Sequence, residues 1–567
     1  MWSLSAIALV AVSSALIVQP IGWTQTSYYA LLKAFAHGTA TIDPYNWETG
    51  DDAWFDDHYY STKPPGLAFL SFPFFALLRA VDLAPVNALQ DIFDQSLATW
   101  GIPPLAVWPL TLFGAVLPAA LLMLLVRRLG NTLEPGLGIA AAITLGLGTL
   151  VLPFSTLYFG HLLAAALGFA AFALLWTERD GRPRLGYLAG AGFLAGYAIT
   201  SEYPYALLAI ALGLYAVARG DVLRRGLAYS LGALGGVAPS LAYNKLAFGS
   251  FTHLSYENAI SNPGNSGHDQ IGLNADGFFG VTTPNPHVAL ELLFQSKGLL
   301  TLSPVLAVGA LGLVLLYRRG RRLEALLIAA IALAYLVYNS GYWLPFGGGT
   351  PGPRFLIPIV PFLALPLVLA YRRFPELTAA LALASILAML TATVTPSTII
   401  ADQETGVWLT RIGRGDLNYT VFTYLFGWHG WLGFWPYLLL LVVACACAVR
   451  ALPVARPSRR GAEIALVALA AWGLVASAGP TLLDVDETAS KGLGAAALCL
   501  IVIATALAVA AVSSRGLRAL WLPGPIVLAA GLLDGSETIA VTLAAVAAVA
   551  AATAFRPSLL PRPSPSR

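Results

Sequence analysis

The chain has few charged residues and few cysteines. Only 11% of its 567 residues are Asp, Glu, Lys or Arg, whereas roughly a quarter of the residues in soluble domains are charged. Together with 57% hydrophobic residues and a mean hydropathy of +0.73, this scarcity excludes an ordinary soluble enzyme and indicates a polytopic membrane protein. The three cysteines are too few to staple the fold, and they show no metal-binding spacing.

Apolar runs near the length that crosses a bilayer recur along the chain. Residues 1–22 form the first, and because no basic segment precedes it, we predict a retained span rather than a signal peptide. The fold class we expect is an all-α transmembrane bundle of about 13–16 spans. The further predicted spans are 104–126, 135–154, 160–177, 186–202, 203–218, 226–243, 299–317, 323–340, 353–370, 377–395, 431–449, 461–478, 491–512, 518–533 and 538–555.

Arginine clusters mark alternate loops and predict the orientation of the bundle. Lys and Arg concentrate on the cytoplasmic side of membrane proteins, so we place these clusters inside. Residues 23–103 then form one long external loop, and the apolar run at 66–82 is too short to span, which predicts an interfacial or re-entrant helix. The clusters lie at 127–128, 179–184, 219–225, 318–322, 372–373, 450–460 and 515–518.

The first external loop is rich in polar and ionisable side chains, although most of the chain is apolar. A short amphipathic helix is expected over 28–37, followed by acids that include Asp43 and Asp51. Acids on a loop are commonly only solvated surface. Here the cluster ends at the membrane face in "KPPG", whose prolines restrict the backbone and make Lys63 a candidate contact for a lipid phosphate. His58, Tyr59 and Tyr60 precede that lysine.

Later external regions add further candidates. Arg354 stands in a Gly- and Pro-rich turn at the outer mouth of a span, where it either snorkels or binds phosphate through its planar fork. His161 and Glu202 lie near outer helix ends, where ionisable side chains are either functional or snorkelling. Tyr256 lies in the loop 244–298, in which 286–297 is predicted to be a second interfacial helix.

These residues resemble the GT-C membrane glycosyltransferases, specifically the branch of bacterial aminoarabinose transferase and protein O-mannosyltransferase. The similarity covers roughly residues 1–370. The better-known members carry an Asp-Glu pair just after the first span, where this chain reads Gln25-Thr26-Ser27. The matching elements are 42–43 (ID), 49–51 (TGD), 58–61 (HYYS), 63–66 (KPPG), 159–161 (FGH), 201–204 (SEYP), 243–250 (YNKLAFGS) and 352–358 (GPRFLIP).

The resemblance implies a GT-C-like catalytic core over 1–370, additional transmembrane helices over 371–555 and a disordered cytoplasmic tail over 556–567. Such enzymes transfer a sugar from a polyprenyl-phosphate donor to a hydroxyl of a glycan, lipid or protein on the outer face of the bacterial plasma membrane. They use an acid of the first external loop as base, which assigns Asp51 or Asp43 here. We expect no nucleic-acid partner.

We expect the other candidate residues to bind either the donor phosphate or the substrate. Lys63, Arg354 and His58 would bind the donor phosphate. The predicted substrate-binding residues are Tyr59, Tyr60, His161, Glu202 and Tyr256. No cofactor is required, although a divalent metal, Mg or Mn, could bridge a carboxylate and the phosphate.

Three other functions compete with transfer. A transporter or flippase for a lipid-linked sugar should show paired broken helices and ionisable groups at mid-membrane, and the sequence shows no clear internal repeat. A non-catalytic lipid-binding scaffold would keep the bundle but leave the Lys-Pro-Pro loop without a role. A polymerase or ligase of lipid-linked oligosaccharides would leave the acidic first loop unexplained.

Overall fold

A computed structural model describes residues 1–81, 104–181, 184–259, 280–396, 405–453 and 458–483. Within these ranges the chain is mainly helical with very little sheet, which confirms the predicted fold class. The predicted spans at 491–512, 518–533 and 538–555, and the tail at 556–567, lie outside the described residues.

The helices follow the apolar runs, because a segment that is buried or lies in lipid must form its backbone hydrogen bonds internally. The longer helices are Trp2–Ala15, Trp23–Ala36, Gly66–Ala80, Leu117–Leu133, Gly138–Leu147, Gly160–Asp180, Leu185–Ser201, Ala206–Val217, Val222–Phe248, Val305–Arg318, Arg322–Ser340, Pro375–Val394, Thr405–Arg414, Gly430–Ala451 and Arg459–Leu483. The shorter ones are Pro104–Thr111, Val151–Phe154, Pro286–Phe294, Leu299–Leu302, Val360–Ala364, Leu367–Arg373 and Val421–Phe426, with a π-turn at Leu112–Val116 and 3₁₀ turns at Asp43–Glu48, Tyr203–Tyr205, Ser255–Asn258 and Arg354–Ile359.

Two short antiparallel pairs are the strands of the described chain. Ile17–Val18 pairs with Tyr419–Thr420, and Asp52–Phe55 pairs with His58–Ser61. The first pair joins the N-terminal segment to the C-terminal third, where helix Trp2–Ala15 also packs on Gly430–Ala451. The additional helices after residue 370 therefore pack against the start of the chain.

Fewer helices are long enough to span than the sequence predicts. In the described ranges, five helices are long and apolar enough to cross a membrane, or seven if each of two bent helix pairs is counted as one span. Helix Trp2–Ala15 is shorter than the predicted span 1–22, and the run 135–154 is divided between Gly138–Leu147 and Val151–Phe154. The total of about 13–16 spans therefore stays a prediction.

The predicted interfacial segments are helices. The run at 66–82 forms Gly66–Ala80, and the one at 286–297 forms Pro286–Phe294. The helix expected over 28–37 begins earlier, at Trp23, because the Gln25 side chain accepts the Gly22 backbone N–H and caps it. Its residues Thr24–Ala34 are buried, so the helix is part of the core and not an amphipathic surface element.

Small residues bring two neighbouring helices close together. Helices Leu185–Ser201 and Val222–Phe248 pack along their lengths. A Cβ added at Gly192 or Gly196 would collide with the backbone of Tyr229 or Ala233 respectively. This close approach positions the end of the first helix, where Glu202 follows.

Candidate active site

A β-hairpin occupies the stretch that the sequence marks as polar. Asp52–Phe55 and His58–Ser61 pair in antiparallel register, and the turn residues Asp56 and Asp57 both adopt positive φ, at 50° and 61°. Two-residue hairpin turns require such angles, and Asp tolerates them better than most residues. The pair Asp56-Asp57 is therefore an exposed turn, a role that the sequence analysis did not predict.

Asp43 and His58 pair with each other at the turn end of this hairpin. Asp43 accepts the Tyr59 backbone N–H at Oδ1 (2.7 Å) and lies 2.9 Å from His58 Nδ1 at Oδ2. Their side chains are 36% and 54% exposed respectively. The pair links the hairpin to the turn Asp43–Glu48.

Tyr59 and Tyr60 pack within the hairpin region. The Tyr59 ring lies 4.5 Å from that of Trp54, and the Tyr60 ring lies 4.9 Å from that of Phe248. Burial raises the pKa of Tyr60, and the charges of Asp43 and Asp56 add to the shift. Both charges belong to the turn end of the hairpin.

Asp51 and Lys63 meet at the open end of the hairpin. Asp51 Oδ2 lies 2.6 Å from Lys63 Nζ, and the side chains are only 9% and 13% exposed. Thr24 donates its hydroxyl to the same oxygen at 2.9 Å. This end is three residue pairs from the turn, or about 10 Å, so Asp51 and Asp43 lie in different surroundings.

The residues 25–27, just after the first helix, support this arrangement. Gln25 caps its own helix, and Ser27 donates its hydroxyl to the backbone oxygen of Asp51 at 2.7 Å. The segment after the first helix therefore helps to hold Asp51, which directly precedes the strand Asp52–Phe55.

His161 and Glu202 form a second pair in the interior. His161 Nδ1 lies 2.6 Å from Glu202 Oε1, and the side chains are 8% and 7% exposed. Gly160 leaves room for the contact, since a Cβ there would lie 2.7 Å from Glu202 Oε1 and 2.8 Å from the Tyr28 hydroxyl. Within the described chain, His161 Nε2 and the Tyr28 hydroxyl have no hydrogen-bond partner.

Arg354 is a half-buried guanidinium resting on aromatic rings. Its Cζ lies 5.5 Å from the ring centroid of Phe159 and 5.1 Å from that of Phe355. Its Nε is buried and unpartnered in the described ranges, and no ion pair to this side chain is present among those residues. Gly347, at φ +81°, lies where any Cβ would collide with Nε of Arg354.

Tyr342 shows that the separate pairs share one region. Burial is the main cause that raises the pKa of Tyr342. The carboxylates of Asp51 and Glu202 raise it further, and the positive charge of Arg354 lowers it. The charges of Arg354 and Lys63 also act on His161. Five predicted residues thus surround one buried region: Asp51, Lys63, His161, Glu202 and Arg354.

Tyr256 belongs to the same region. Burial raises its pKa well above the usual value, and the neighbouring Glu202 carboxylate adds to the rise. Its ring meets that of Tyr203 edge-on at 5.3 Å. Ser255, beside it, donates its hydroxyl to the Thr62 backbone oxygen at 2.8 Å and so ties this turn to the segment that carries Lys63.

Tyr28, Tyr342 and the two rings that support Arg354 are site residues that the sequence motifs did not predict. Phe159 and Phe355 each adjoin a predicted motif residue, so their position in "FGH" and "GPRF" was an available signal. Tyr28 and Tyr342 carry no such signal, because only the packing of distant helices brings them to the site.

No group of three or more His, Cys, Asp or Glu side chains suited to a metal ion occurs in the ranges that the structure covers. Asp51 already binds Lys63, and Glu202 already binds His161. The described side chains thus provide an ion pair and a His–Glu hydrogen bond rather than a preformed ligand set.

Comparison with solved structures finds matches at low sequence identity. The chain matches ArnT from Cupriavidus metallidurans bound to undecaprenyl phosphate with 14% identity and a TM-score of 0.47, over 95% of this chain and 86% of that one. The apo state of the same protein matches with 15% identity and a TM-score of 0.46, over 90% and 78%.

An oligosaccharyltransferase from Archaeoglobus fulgidus, in the apo form, matches with 14% identity and a TM-score of 0.39, over 72% of this chain and 58% of that one. The chain therefore spans little more than half the length of that enzyme. No family model matches the sequence, and a comparison with curated proteins finds no match.

Proposed function

We propose that this protein is a membrane glycosyltransferase that moves a sugar from a polyprenyl-phosphate-linked donor to an acceptor hydroxyl of a glycan, lipid or protein. The observation that carries the proposal is the guanidinium of Arg354, which has no ion-pair partner among the described residues. It is held on Phe159 and Phe355 in the region that also contains Lys63. A half-buried cation without a counter-ion is a site for an anion. The sequence motifs around it resemble those of enzymes that bind a lipid phosphate.

Lys63 and Arg354 have complementary tasks in this proposal. Arg354 offers a planar fork that matches two phosphate oxygens, whereas the Lys63 ammonium is a point charge held by Asp51. Both would stabilise the charge that grows on the phosphate as the bond to the sugar breaks. A single in-line displacement by the acceptor would invert the anomeric centre.

The acceptor hydroxyl must lose a proton as it attacks. Of the two first-loop carboxylates that the resemblance implies, Asp51 lies in the buried region and Asp43 holds the exposed end of the hairpin. This placement favours Asp51 over Asp43 as a member of the catalytic site. His58, Tyr59 and Tyr60 lie with Asp43, which makes a supporting role in the hairpin the simpler assignment for them.

The charges at the two ends of helix Gly160–Asp180 support an orientation of the bundle in the membrane. His161 lies at one end, and Glu178 lies about 26 Å further along, where it binds Arg225 at 2.8 Å. Asp180 binds Arg321 at the same end. Because basic clusters favour the cytoplasm, the end with His161 would face the outside of the bacterial plasma membrane.

The deciding experiment is transfer by purified protein in liposomes, from radiolabelled polyprenyl-phosphate sugars to a membrane glycan extract. We expect labelled glycan with wild type and a large loss with Arg354→Ala or Lys63→Ala. Lys245→Ala is the control, because Lys245 is exposed and binds only Gly249 O and the nearby Phe251 ring in the described chain. Absence of transfer from every donor would overturn the proposal. The same assay with a chelator tests metal dependence.

A transporter or flippase for the lipid-linked sugar is the second candidate, and one observation favours it. Two apolar helix pairs are bent, Pro286–Leu302 with Val305–Arg318 by 87° and Arg354–Ala364 with Leu367–Arg373 by 50°. Broken helices form the binding sites of many transporters. Movement of labelled donor between leaflets without any transfer to acceptor would favour this alternative.

A further inference from the structure

The buried histidine of the site has one free ring nitrogen. His161 is 6% exposed, its Nδ1 meets Glu202, and its Nε2 has no partner in the described part of the chain. A buried polar atom without a partner is costly, so it usually has a functional reason. Here it lies in the region of the proposed phosphate-binding cations.

The Glu202 carboxylate determines which nitrogen carries the proton. A carboxylate accepts and cannot donate, so the 2.6 Å contact requires Nδ1–H to donate to Oε1. In the neutral ring Nε2 is then the hydrogen-bond acceptor. The same contact stabilises the imidazolium once Nε2 takes a proton, which is how a carboxylate supports a histidine base.

The charges around His161 would favour that proton uptake only once a phosphate is bound. Glu202 favours the protonated ring, whereas burial, Arg354 and Lys63 oppose it, and Asp51 pairs with Lys63. Two carboxylates and two cations cancel while His161 is neutral. A bound phosphodiester adds a negative charge, and the leaving phosphate approaches a second one. A positive imidazolium would offset part of this excess.

Asp51 is less suited to the same task. Its Oδ2 already receives Lys63 Nζ at 2.6 Å and the Thr24 hydroxyl at 2.9 Å. An opposite charge and hydrogen bonds both favour the ionised form of a carboxyl and make it a weaker base. The contact instead orients the Lys63 ammonium toward the site.

We infer that His161, held by Glu202, is the group that takes the proton of the acceptor hydroxyl, and that Asp51 is a positioning residue acting through Lys63. This inference rests on the proposed transferase function. The acceptor oxygen forms a bond to C1 of the sugar, and the C1–oxygen bond to phosphate breaks with both electrons going to the phosphate. The hydroxyl proton passes to Nε2 and is lost to water after product release.

The test compares single-turnover transfer and polyprenyl-phosphate binding in full-length protein, using the labelled donors and glycan extract described above. His161→Gln should bind polyprenyl phosphate as wild type does and transfer about 10²–10⁴-fold more slowly. It should also lose the increase of rate with pH on the acid side. Added imidazole should restore transfer to His161→Ala, which a purely structural role would not allow.

The controls separate this inference from the function on which it rests. His287→Gln should change nothing, because His287 is a half-exposed histidine with its own glutamate, Glu291, at 3.2 Å. Asp51→Asn should slow transfer yet keep the dependence of rate on pH. If His161→Gln keeps both rate and pH profile while Asp51→Asn loses them, the base is Asp51 and the transferase stands. If wild type transfers no sugar, the transferase itself is wrong.

Discussion

Arg354 and His161 lie against the same two aromatic rings. The guanidinium carbon is 5.5 Å from the centroid of Phe159 and 5.1 Å from that of Phe355. The imidazole centroid is 5.9 Å and 5.7 Å from the same rings. A phosphate on Arg354 would therefore bring the group bonded to it close to His161, which is the relationship that sugar transfer requires.

Replacement of Arg354 should weaken binding of polyprenyl phosphate. Hydrogen bonds to charged groups contribute about 1.5–3 kcal/mol, so Arg354→Ala should raise the Kd roughly 10- to 100-fold in a titration of the reconstituted protein. Arg354→Lys should recover only part of the loss, because an ammonium lacks the planar fork that rests on Phe159 and Phe355. Arg184→Ala is the matched control, since Arg184 also lies on a ring, that of Tyr187. Unchanged binding in Arg354→Ala would remove this residue from the phosphate site.

Gly347 should control the position of Arg354 without touching substrate. A Cβ at Gly347 collides with Arg354 Nε, whereas one at Gly348 meets only Leu344 Cδ2 at 3.7 Å. Both glycines have positive φ, so an alanine at either costs about 1–2 kcal/mol of backbone strain. We expect both variants to lose similar thermal stability and only Gly347→Ala to lose polyprenyl-phosphate affinity. Equal affinity in the two would show that the collision is relieved elsewhere.

The Asp51–Lys63 pair should behave as a buried ion pair. Removal of one partner leaves an uncompensated charge, which costs about 3–5 kcal/mol in buried pairs. Lys63→Met should therefore lower the melting temperature, and the double variant Asp51→Asn with Lys63→Met should regain much of it. Transfer should stay low in both, as measured with labelled donor. Additive losses of stability would show that the two side chains do not interact.

Asp43 should be dispensable for the chemistry. Its contact with His58 is largely exposed, and exposed pairs contribute about 0–1 kcal/mol. We expect Asp43→Asn to keep the transfer rate within a factor of about three and to change the melting temperature little. A loss as large as that of Asp51→Asn would return Asp43 to the catalytic site.

The two ends of the bundle should label from opposite sides of the membrane. Asp57 is exposed on the hairpin turn, and Asp221 is exposed beside the arginine clusters. In a background with Cys445, Cys447 and Cys499 replaced, Asp57→Cys should react with an impermeant maleimide on intact cells. Asp221→Cys should react only after the membrane is opened. The reverse pattern would contradict the orientation proposed from the basic residues.

The structure separates candidate residues that the sequence could not distinguish. Asp43 and Asp51 were equal candidates, because both are first-loop acids within matching motifs. The hairpin separates them, since its turn depends on positive φ at Asp56 and Asp57, for which the Asp-Asp pair is only a weak signal. Likewise His161 and Glu202 were separate helix-end residues, and their contact required two helices to pack.

The sequence by itself determined that this is a helical membrane protein and where most of its described helices lie, and it predicts which side carries the basic clusters. These properties depend on local composition, because bilayer thickness and backbone satisfaction act on each apolar run separately. Only the tertiary structure decided which charges meet: Asp51 with Lys63, His161 with Glu202, and Arg354 on two rings. The hairpin brings Asp51 to Lys63, whereas His161 with Glu202 and Arg354 with Phe159 are residues far apart in the chain that meet only once the helices pack.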